Sequence, residues 1–339
     1  MNLKTEITKI HYNKDAKGLL VKLLEFGSLF YGIGSGLKNL LYDKNILKPK
    51  KVDAFVVSVG NITTGGVGKT PVVSEIAKYF VAQGEKVAIV SRGYGGKLSN
   101  KNVNVISDGE KVFYNARLAG DEPFWLATNS KGVVVITTKN RFEGAKYAVE
   151  KFGATKIILD DGFQHRKLHR DLDIVLMDSK MGFGNEKLLP AGPLREGLEA
   201  FSRIDKLVVV SKNVDHSRAE KLAKIMSKKM KVETFVCKTE PDYVYNIKTG
   251  EKLDQGTEVT ALCAIGQPQQ FYAFLNDYKI KQTIDFDDHY SYVEEELPDG
   301  LIITTEKDAV KMQKFSRDDI YALKLKTVID VENLVKPVK

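Results

Sequence analysis

A glycine-rich stretch between Ser58 and Ala77, SVGNITTGGVGKTPVVSEIA, has the residue types that bind phosphate groups. It ends in a G-K-[ST] triplet, in which the lysine reaches β- and γ-phosphates and the hydroxyl binds Mg²⁺. The standard spacing has a glycine five residues before this triplet, where the chain has threonine. A predicted strand before the loop and a predicted helix after it would aim backbone amides at an anion. We therefore predict a nucleotide site formed by Thr63, Gly65, Gly66, Gly68, Lys69 and Thr70.

Two carboxylates follow a second apolar run, in the sequence KIILDDGFQH. Asp160 and Asp161 end a predicted strand, where they would bind Mg²⁺ directly or through water together with Thr70. His165 and His169 are four residues apart but have no third metal ligand near them in the sequence. We interpret both histidines as surface or hydrogen-bonding residues rather than as a metal pair.

A phosphoryl transferase also needs a group that deprotonates or orients the attacking hydroxyl. Three acidic clusters are candidates: GDEP at 120–123, DDG at 160–162 and FDDHYSY at 286–292. In the third cluster, His289 beside Asp288 is either a proton relay or a structural loop histidine. The sequence LLPAGPLREGL at 188–198 contains Arg195, which either clamps an anionic group or lies on a rigid linker.

The elements that must position these residues follow an α/β pattern. Short Val/Ile/Leu runs predict strands at 54–60, 86–93, 133–137, 156–161, 173–178 and 206–211. Amphipathic segments at 71–83 and 141–152 predict helices between them, as in a parallel sheet covered on both faces. We predict three regions: an apolar and basic N-terminal segment at 1–50 packed on the first lobe, a nucleotide-binding lobe at 51–238, and a smaller α/β lobe at 239–339 joined through a hairpin.

The composition is that of an ordinary soluble globular protein, with 43% hydrophobic and 28% charged residues. Its two cysteines, Cys237 and Cys263, lack metal-like spacing and fit a reducing compartment. The net charge of +8 indicates an anionic partner, which on this basis alone is nucleic acid, nucleotide or a membrane face.

The N-terminal run GLLVKLLEFGSLFYGIGSGLKNLLY, residues 18–42, is apolar at helical spacing. A membrane-spanning helix fits it poorly, because Lys22, Glu25 and Lys38 would have to be buried or reach the interface. Two other interpretations stay open: a helix lying in the interface of an anionic leaflet, and ordinary packed helices on the first lobe.

Taken together, these motifs resemble the tetraacyldisaccharide 4′-kinase family, which phosphorylates the lipid A precursor. The matching pieces run in the family's order from about residue 19 to 313: VGNITTGGVGKTP, SRGYGG, GDEP, LDDGFQHRKLHRDLDIV, LLPAGPLRE, AIGQPQQF, DHY and TTEKDAVK. The chain departs from the family at Gly197 and Asp287, where members commonly have proline, and neither change removes a catalytic group.

This resemblance implies an ATP- and Mg²⁺-dependent kinase with two α/β lobes, acting on the 4′-hydroxyl of an acylated disaccharide 1-phosphate. It implies peripheral docking of the N-terminal helix on the cytoplasmic face of the inner membrane, with no nucleic-acid partner and a monomer favoured. By motif position, Asp121 is the catalytic base with His289 as its partner. Arg92, Glu122 and Arg195 are assigned to the substrate side of the site.

Two rival functions remain. Membrane-associated ATPase switches of the partitioning type carry KGGVGKT, but Thr64 replaces their signature lysine here. A phosphate-loop kinase of a soluble small molecule would leave the N-terminal apolar run without a purpose.

Overall fold

The computed structural model describes residues 3–99, 102–212, 214–266, 268–287 and 290–337 of a mixed α/β protein. The chain forms two compact units. The first contains the chain up to Val210, Ser217–Cys237 and the segment from Ile329 onward. The second contains Ser211–His216 and Lys238–Val328. This division differs from the predicted one at its edges, since the end of the chain returns to the first unit.

Two helices begin the first unit: α1 (Leu3–His11) and α2 (Leu19–Asp43). Seven strands follow: β1 (Phe55–Asn61), β2 (Val87–Ser91), β3 (Val103–Asp108), β4 (Val133–Thr138), β5 (Lys156–Asp160), β6 (Leu172–Asp178) and β7 (Lys206–Ser211). Five helices lie between or after them: α3 (Lys69–Ala82), α4 (Ala116–Ala119), α5 (Asp121–Asn129), α6 (Arg141–Phe152) and α7 (Ser217–Met230). The strand β8 (Glu233–Asn246) then leads the chain into the second unit.

The sheet of the first unit is dominated by parallel pairs. Its strands are ordered β7-β6-β1-β5-β2-β4-β3, and only β3 runs antiparallel to its neighbour among these strands. The continuous Val/Ile runs are buried on both faces, and each such side chain contributes about 1.5–3 kcal/mol by leaving water. Because β1 and β5 pair in register with Val59 opposite Asp160, their carboxyl ends lie side by side.

Helix α2 has one packed face and one exposed face. On the packed face, Gly27 and Gly32 allow close approach to Pro190 and Leu188. Ser28 Oγ donates to the Leu188 carbonyl at 2.8 Å, and the Tyr31 hydroxyl donates to the Arg195 carbonyl at 2.8 Å. None of the described helices has the length and apolar character needed to cross a membrane.

The second unit has its own set of strands and its own core. After β8 come β9 (Glu258–Cys263), α8 (Pro268–Ala273), β10 (Lys279–Asp285), β11 (Ile302–Thr305), α9 (Glu306–Met312) and β12 (Ile320–Val328). Strands β10, β9, β11 and β12 are parallel, whereas β12 pairs antiparallel with β8. A last helix, α10 (Val331–Leu334), belongs to the first unit, where Leu334 joins the core beneath α3.

Candidate active site

The glycine-rich loop leaves the carboxyl end of β1 and turns directly into α3. Gly65 has φ +110° and Gly68 has φ +98°, a region that side-chain-bearing residues rarely adopt. Gly68 is the residue that caps α3, and no side chain accepts a hydrogen bond from the first turn at this cap. The loop thus presents an uncapped helix N-terminus, which favours binding of an anion.

The first half of the loop is fixed by backbone pairing to residues 193–195. The Thr64 amide donates to the Pro193 carbonyl at 2.7 Å, and the Arg195 amide donates to the Ile62 carbonyl at 2.7 Å. Thr63 lies between these bonds, buried, in a bridge with Leu194. This pairing explains how an arginine more than a hundred residues away comes to lie beside the loop.

Lys69, the first residue of α3, lies in a polar cluster. Its ammonium donates to Asn61 Oδ1 at 3.1 Å and lies 3.4 Å from Asp161 Oδ1. Arg195 Nη1 binds both carboxylate oxygens of Asp161, at 2.9 and 2.8 Å. Burial would raise the pKa of Asp161, but the two cations more than offset this and hold it below its usual value. The cluster therefore holds an ionised carboxylate between two fixed cations.

Asp160, the last residue of β5, is only 2% exposed. Its Oδ2 accepts a hydrogen bond from Ser91 Oγ at 3.0 Å, whereas Oδ1 has no hydrogen-bond partner among the described residues. Burial is the main cause that raises the pKa of Asp160 to about 6, and the negative charge of Glu122 adds to it. An orphaned buried carboxylate oxygen beside a phosphate-type loop needs a cation to offset its cost.

These groups fit the donor set of a Mg²⁺–nucleotide site. Such sites use one or two carboxylates, a loop hydroxyl and the substrate's own phosphate oxygens, rather than an all-protein cage. Asp160 supplies the unpaired oxygen, and Thr70, one residue beyond Lys69, supplies the hydroxyl. No cluster of three or more histidine, cysteine, aspartate or glutamate ligands occurs in the part of the chain that the structure describes.

The GDEP motif forms the start of α5, where Asp121 and Glu122 occupy the first turn and are exposed. The loop of SRGYGG packs against this corner: a Cβ on Gly96 would lie 2.5 Å from the Ala119 carbonyl carbon. A Cβ on Gly120, which has φ +96°, would lie 2.8 Å from the Tyr94 carbonyl. The glycines of both motifs therefore let the loop after β2 hold the two acidic residues in place.

A buried arginine at the start of α6 was missed by the sequence analysis. Arg141 is within electrostatic reach of Asp160 and Asp161, and its Nε has no hydrogen-bond partner among the described residues. Burial lowers the pKa of Arg141, although the two carboxylates oppose this. Arg92 is exposed at the end of β2 and also acts on Arg141. The site thus carries more positive charge than the motifs indicated.

This architecture has counterparts among known proteins. Residues 20–338 match the family model described as tetraacyldisaccharide-1-P 4′-kinase. A tetraacyldisaccharide 4′-kinase of Halothermothrix orenii is 37% identical over 84% of this chain and 80% of its own length. One of Desulfotalea psychrophila is 37% identical over 90% of this chain and 92% of its own length. A crystal structure of LpxK from Aquifex aeolicus in complex with ATP is 32% identical, covers 93% of this chain and 96% of its own, and superposes with a TM-score of 0.75.

The chain belongs to the tetraacyldisaccharide-1-P 4′-kinase family. The resemblance drawn from the motifs is confirmed, as is the prediction of a mixed α/β fold with a largely parallel sheet.

Within the described residues, only some of the predicted site residues lie close together. The structure brings together Lys69, Asp160, Asp161 and Arg195, with Glu122 within electrostatic reach of Asp160. Asp121 lies next to Glu122 on α5, whereas His289 lies outside the described residues. Polar residues that the sequence analysis missed are Asn61, which holds Lys69, Ser91, which holds Asp160, and Gln164, which donates to the Asn61 carbonyl. Asn61 could have been identified from the sequence, because it is a polar residue at the end of the largely apolar strand β1.

In this kinase, Asp160→Asn is expected to stabilise the nucleotide-free fold at about pH 8 while abolishing phosphorylation. The raised pKa of Asp160 means that its charged form costs free energy in the folded state above about pH 6, and asparagine removes that cost. The gain in unfolding free energy should shrink as the pH falls through about 6 toward the ordinary pKa of aspartate, because Asp160 in the folded wild type is then protonated. Urea unfolding of both proteins at several pH values measures this difference in the free energy of unfolding.

Asp161→Asn is the matched control and should change the free energy of unfolding in the opposite direction. Its pKa is lowered in the folded state, so its charge stabilises the fold at neutral pH and the variant loses that stability. An Asp160→Asn protein that unfolds more easily than wild type at about pH 8 would contradict our account of the buried carboxylate.

Proposed function

We propose that the first unit binds ATP and Mg²⁺ at the glycine-rich loop and transfers the γ-phosphate to the 4′-hydroxyl of an acylated disaccharide 1-phosphate. Family membership makes the chain an ATP-dependent lipid kinase of lipid A biosynthesis. The observation that carries the assignment of the site is the cluster of Lys69, Asp160 and Asp161 at the carboxyl ends of β1 and β5.

ATP binding on this loop involves an exchange of partners for Lys69. Without nucleotide, its ammonium is neutralised by Asp161 at 3.4 Å and held by Asn61. A triphosphate offers Lys69 a stronger counter-charge, and Asp161 keeps Arg195 as its partner. Nucleotide binding therefore leaves no buried charge unpaired, which keeps the cost of the exchange low.

Mg²⁺ would be held by Thr70 and Asp160, with Asp161 beside them, and would supply charge neutralisation on the transferred phosphoryl group. Asp160 suits this role because its free Oδ1 is buried and has no hydrogen-bond partner among the described residues. Ser91 binds the other oxygen of Asp160 and fixes the orientation of the carboxylate.

The acceptor hydroxyl requires a base that is not tied to the metal or the phosphates. Asp161 is bound by Lys69 and Arg195, and Asp160 is buried, so neither is available. Asp121 is exposed at the N-terminus of α5, next to Glu122, which acts electrostatically on Asp160. We therefore assign proton removal from the sugar hydroxyl to Asp121. Arg92, Glu122 and Arg195 are left to contact the phosphorylated sugar.

The decisive experiment is phosphorylation of a defined acceptor. Purified protein is incubated with ATP, Mg²⁺ and detergent-dispersed tetraacyldisaccharide 1-phosphate, and the position of the new phosphate is determined by NMR. The expected product is the 4′-phosphate, with ATP consumed in equal amount. ATP hydrolysis that is unchanged by the lipid would instead favour an ATPase switch, and phosphorylation of a soluble, deacylated sugar alone would favour a soluble-substrate kinase.

The exposed face of α2 supports peripheral docking on a membrane. Large apolar side chains recur on it at intervals of three and four residues, and all are at least half exposed: Leu19, Leu23, Phe26, Phe30, Ile33, Leu37 and Leu40. An apolar stripe on one helix face, next to the lysine-rich segment Lys44–Lys51, suits the interface of an anionic leaflet. The opposite face of α2 contacts residues 188–195, so the stripe would bring the lipid acceptor beside the candidate site. We place the protein on the cytoplasmic face of the inner membrane, where ATP is available.

Replacing Phe26, Phe30 and Ile33 together by serine should release the protein from vesicles without unfolding it. The three side chains are about 62–68% exposed, so their loss removes membrane contact but little core packing. Co-sedimentation with phosphatidylcholine vesicles, with and without phosphatidylglycerol, measures binding. The wild type should bind best to anionic vesicles at low salt.

A serine at Phe113, an exposed phenylalanine remote from α2 in the sequence, is the matched control and should leave sedimentation unchanged. If the wild-type protein never sediments and instead dimerises through the stripe in analytical ultracentrifugation, the membrane proposal is wrong.

A further inference from the structure

The segment Ile10–Tyr12, at the end of α1, lies before residue 20, where the match to the family model begins. It is nevertheless tightly packed on the first unit, since Ile10 and His11 are buried. His11 Nε2 lies 2.9 Å from the Pro190 carbonyl oxygen. Asn185 donates its backbone amide to the His11 carbonyl at 2.8 Å and its Nδ2 to the Ile10 carbonyl at 3.1 Å. The segment is therefore held by the same loop that pairs with the glycine-rich loop.

This anchoring places the Tyr12 side chain against the glycine-rich loop. Its hydroxyl oxygen would lie 3.9 Å from a Cβ built on Gly65, the glycine with φ +110°. Tyr12 is half-buried, and its hydroxyl makes no hydrogen bond to any residue that the structure describes. The hydroxyl is not among the buried unpartnered polar atoms, so it is accessible to solvent and free to bind a ligand that enters the loop.

The electrostatic surroundings keep this hydroxyl a donor. Burial raises the pKa of Tyr12, and Asp178 at the carboxyl end of β6 raises it further. The Asp178 carboxylate is turned toward its own loop, where Oδ1 accepts from the amides of Lys180 at 2.8 Å and Met181 at 3.0 Å. Tyr12 thus presents a protonated hydroxyl to the loop.

We propose that Tyr12 is a nucleotide-binding residue, whose hydroxyl donates a hydrogen bond to a phosphate oxygen of ATP held by the glycine-rich loop. The segment Ile10–Tyr12 then acts as a strap across the loop, contributed by a part of the chain that precedes the residues matched by the family model. The inference rests on the proposed ATP site. It assigns to α1 a function different from the membrane contact of α2.

The test is Tyr12→Phe in the full chain, which removes only the hydroxyl. A hydrogen bond to a charged group corresponds to at least about a tenfold change in affinity, so the Kd for Mg²⁺–ATP should rise by about that factor or more. The Kd is measured by titration calorimetry without the lipid acceptor. The KM for the lipid and the thermal midpoint should stay as in wild type.

Tyr147→Phe is the matched control, because Tyr147 packs beside Phe152 on α6 and loses the same atom away from the loop. ATP affinity that is equal in Tyr12→Phe and wild type would overturn the strap proposal and leave the ATP site intact. A wild-type protein that binds no ATP would instead contradict the proposed function. The two failures are therefore distinguishable in one set of titrations.

Discussion

Lys69→Ala is expected to lower kcat for lipid phosphorylation by at least about a hundredfold, since removing one preorganised transition-state donor costs roughly 10²–10³. The Lys69 side chain is only 12% exposed, and its ammonium is held at the N-terminus of α3 by Asn61 and Asp161. It is therefore oriented before nucleotide arrives, and charge developing on the β–γ bridge meets a fixed cation rather than a mobile one. Alanine cannot replace that charge, and water in the vacated space is a poor substitute.

The fold should survive this change. Asp161 keeps its contacts to Arg195 at 2.9 and 2.8 Å, so the carboxylate that pairs with Lys69 is not left without a cation. Lys78→Ala on the same helix is the control, because Lys78 is half-exposed and pairs only with Glu75 among the described residues. Steady-state kinetics and thermal unfolding of both variants separate a loss of catalysis from a loss of stability. Wild-type kcat in a folded Lys69→Ala protein would exclude this loop as the phosphate site.

Asp121→Ala should lower kcat by roughly 10²–10⁴, the usual contribution of a general base, with the KM for ATP little changed. The residue is exposed in the first turn of α5 and forms no ion pair with any residue that the structure describes, so its loss should affect chemistry more than stability. Glu143→Ala is the matched control: Glu143 is likewise an exposed acidic residue in the first turn of a helix, α6.

A Mg²⁺ titration of Asp121→Ala distinguishes proton removal from metal binding. If Asp121 takes the proton, activity stays low at every Mg²⁺ concentration, because excess metal cannot replace a base. Recovery of activity at high Mg²⁺ would show instead that Asp121 helps to hold the metal, and the base would have to be sought elsewhere.

The parallel strands were predictable because each one is encoded by a local run of apolar residues. The runs at 54–60, 133–137 and 206–211 are confirmed within one residue, since burial on both faces selects uninterrupted Val and Ile. Helix α6 begins and ends at the predicted residues 141 and 152. The edge strand β3 was missed, because its sequence VNVISD mixes apolar and polar residues and only Ile106 and Ser107 are fully buried.

The sequence predicted those site residues that directly follow a recognisable strand or loop. It could not predict the position of residues that reach the site through contacts between distant parts of the chain. Asp160 and Lys69 fall at the ends of recognisable elements, so their proximity follows from a parallel sheet. Arg195 was identified only by its motif, and its position depends on backbone pairing of residues 193–195 with the glycine-rich loop. Tyr12 and Arg141 reach the site through tertiary packing that no local pattern encodes.

The backbone at Asp161 restricts which substitutions can be interpreted. Asp161 has φ +55°, a left-handed conformation that aspartate, asparagine and glycine tolerate better than other residues. Gly162 follows it with no room for a side chain, since a Cβ there would lie 2.6 Å from the Leu159 Cβ. An alanine scan would therefore mix backbone strain with loss of charge at position 161 and overstate the carboxylate's importance. Asparagine keeps the turn, so the amide at position 161 removes the charge without adding backbone strain.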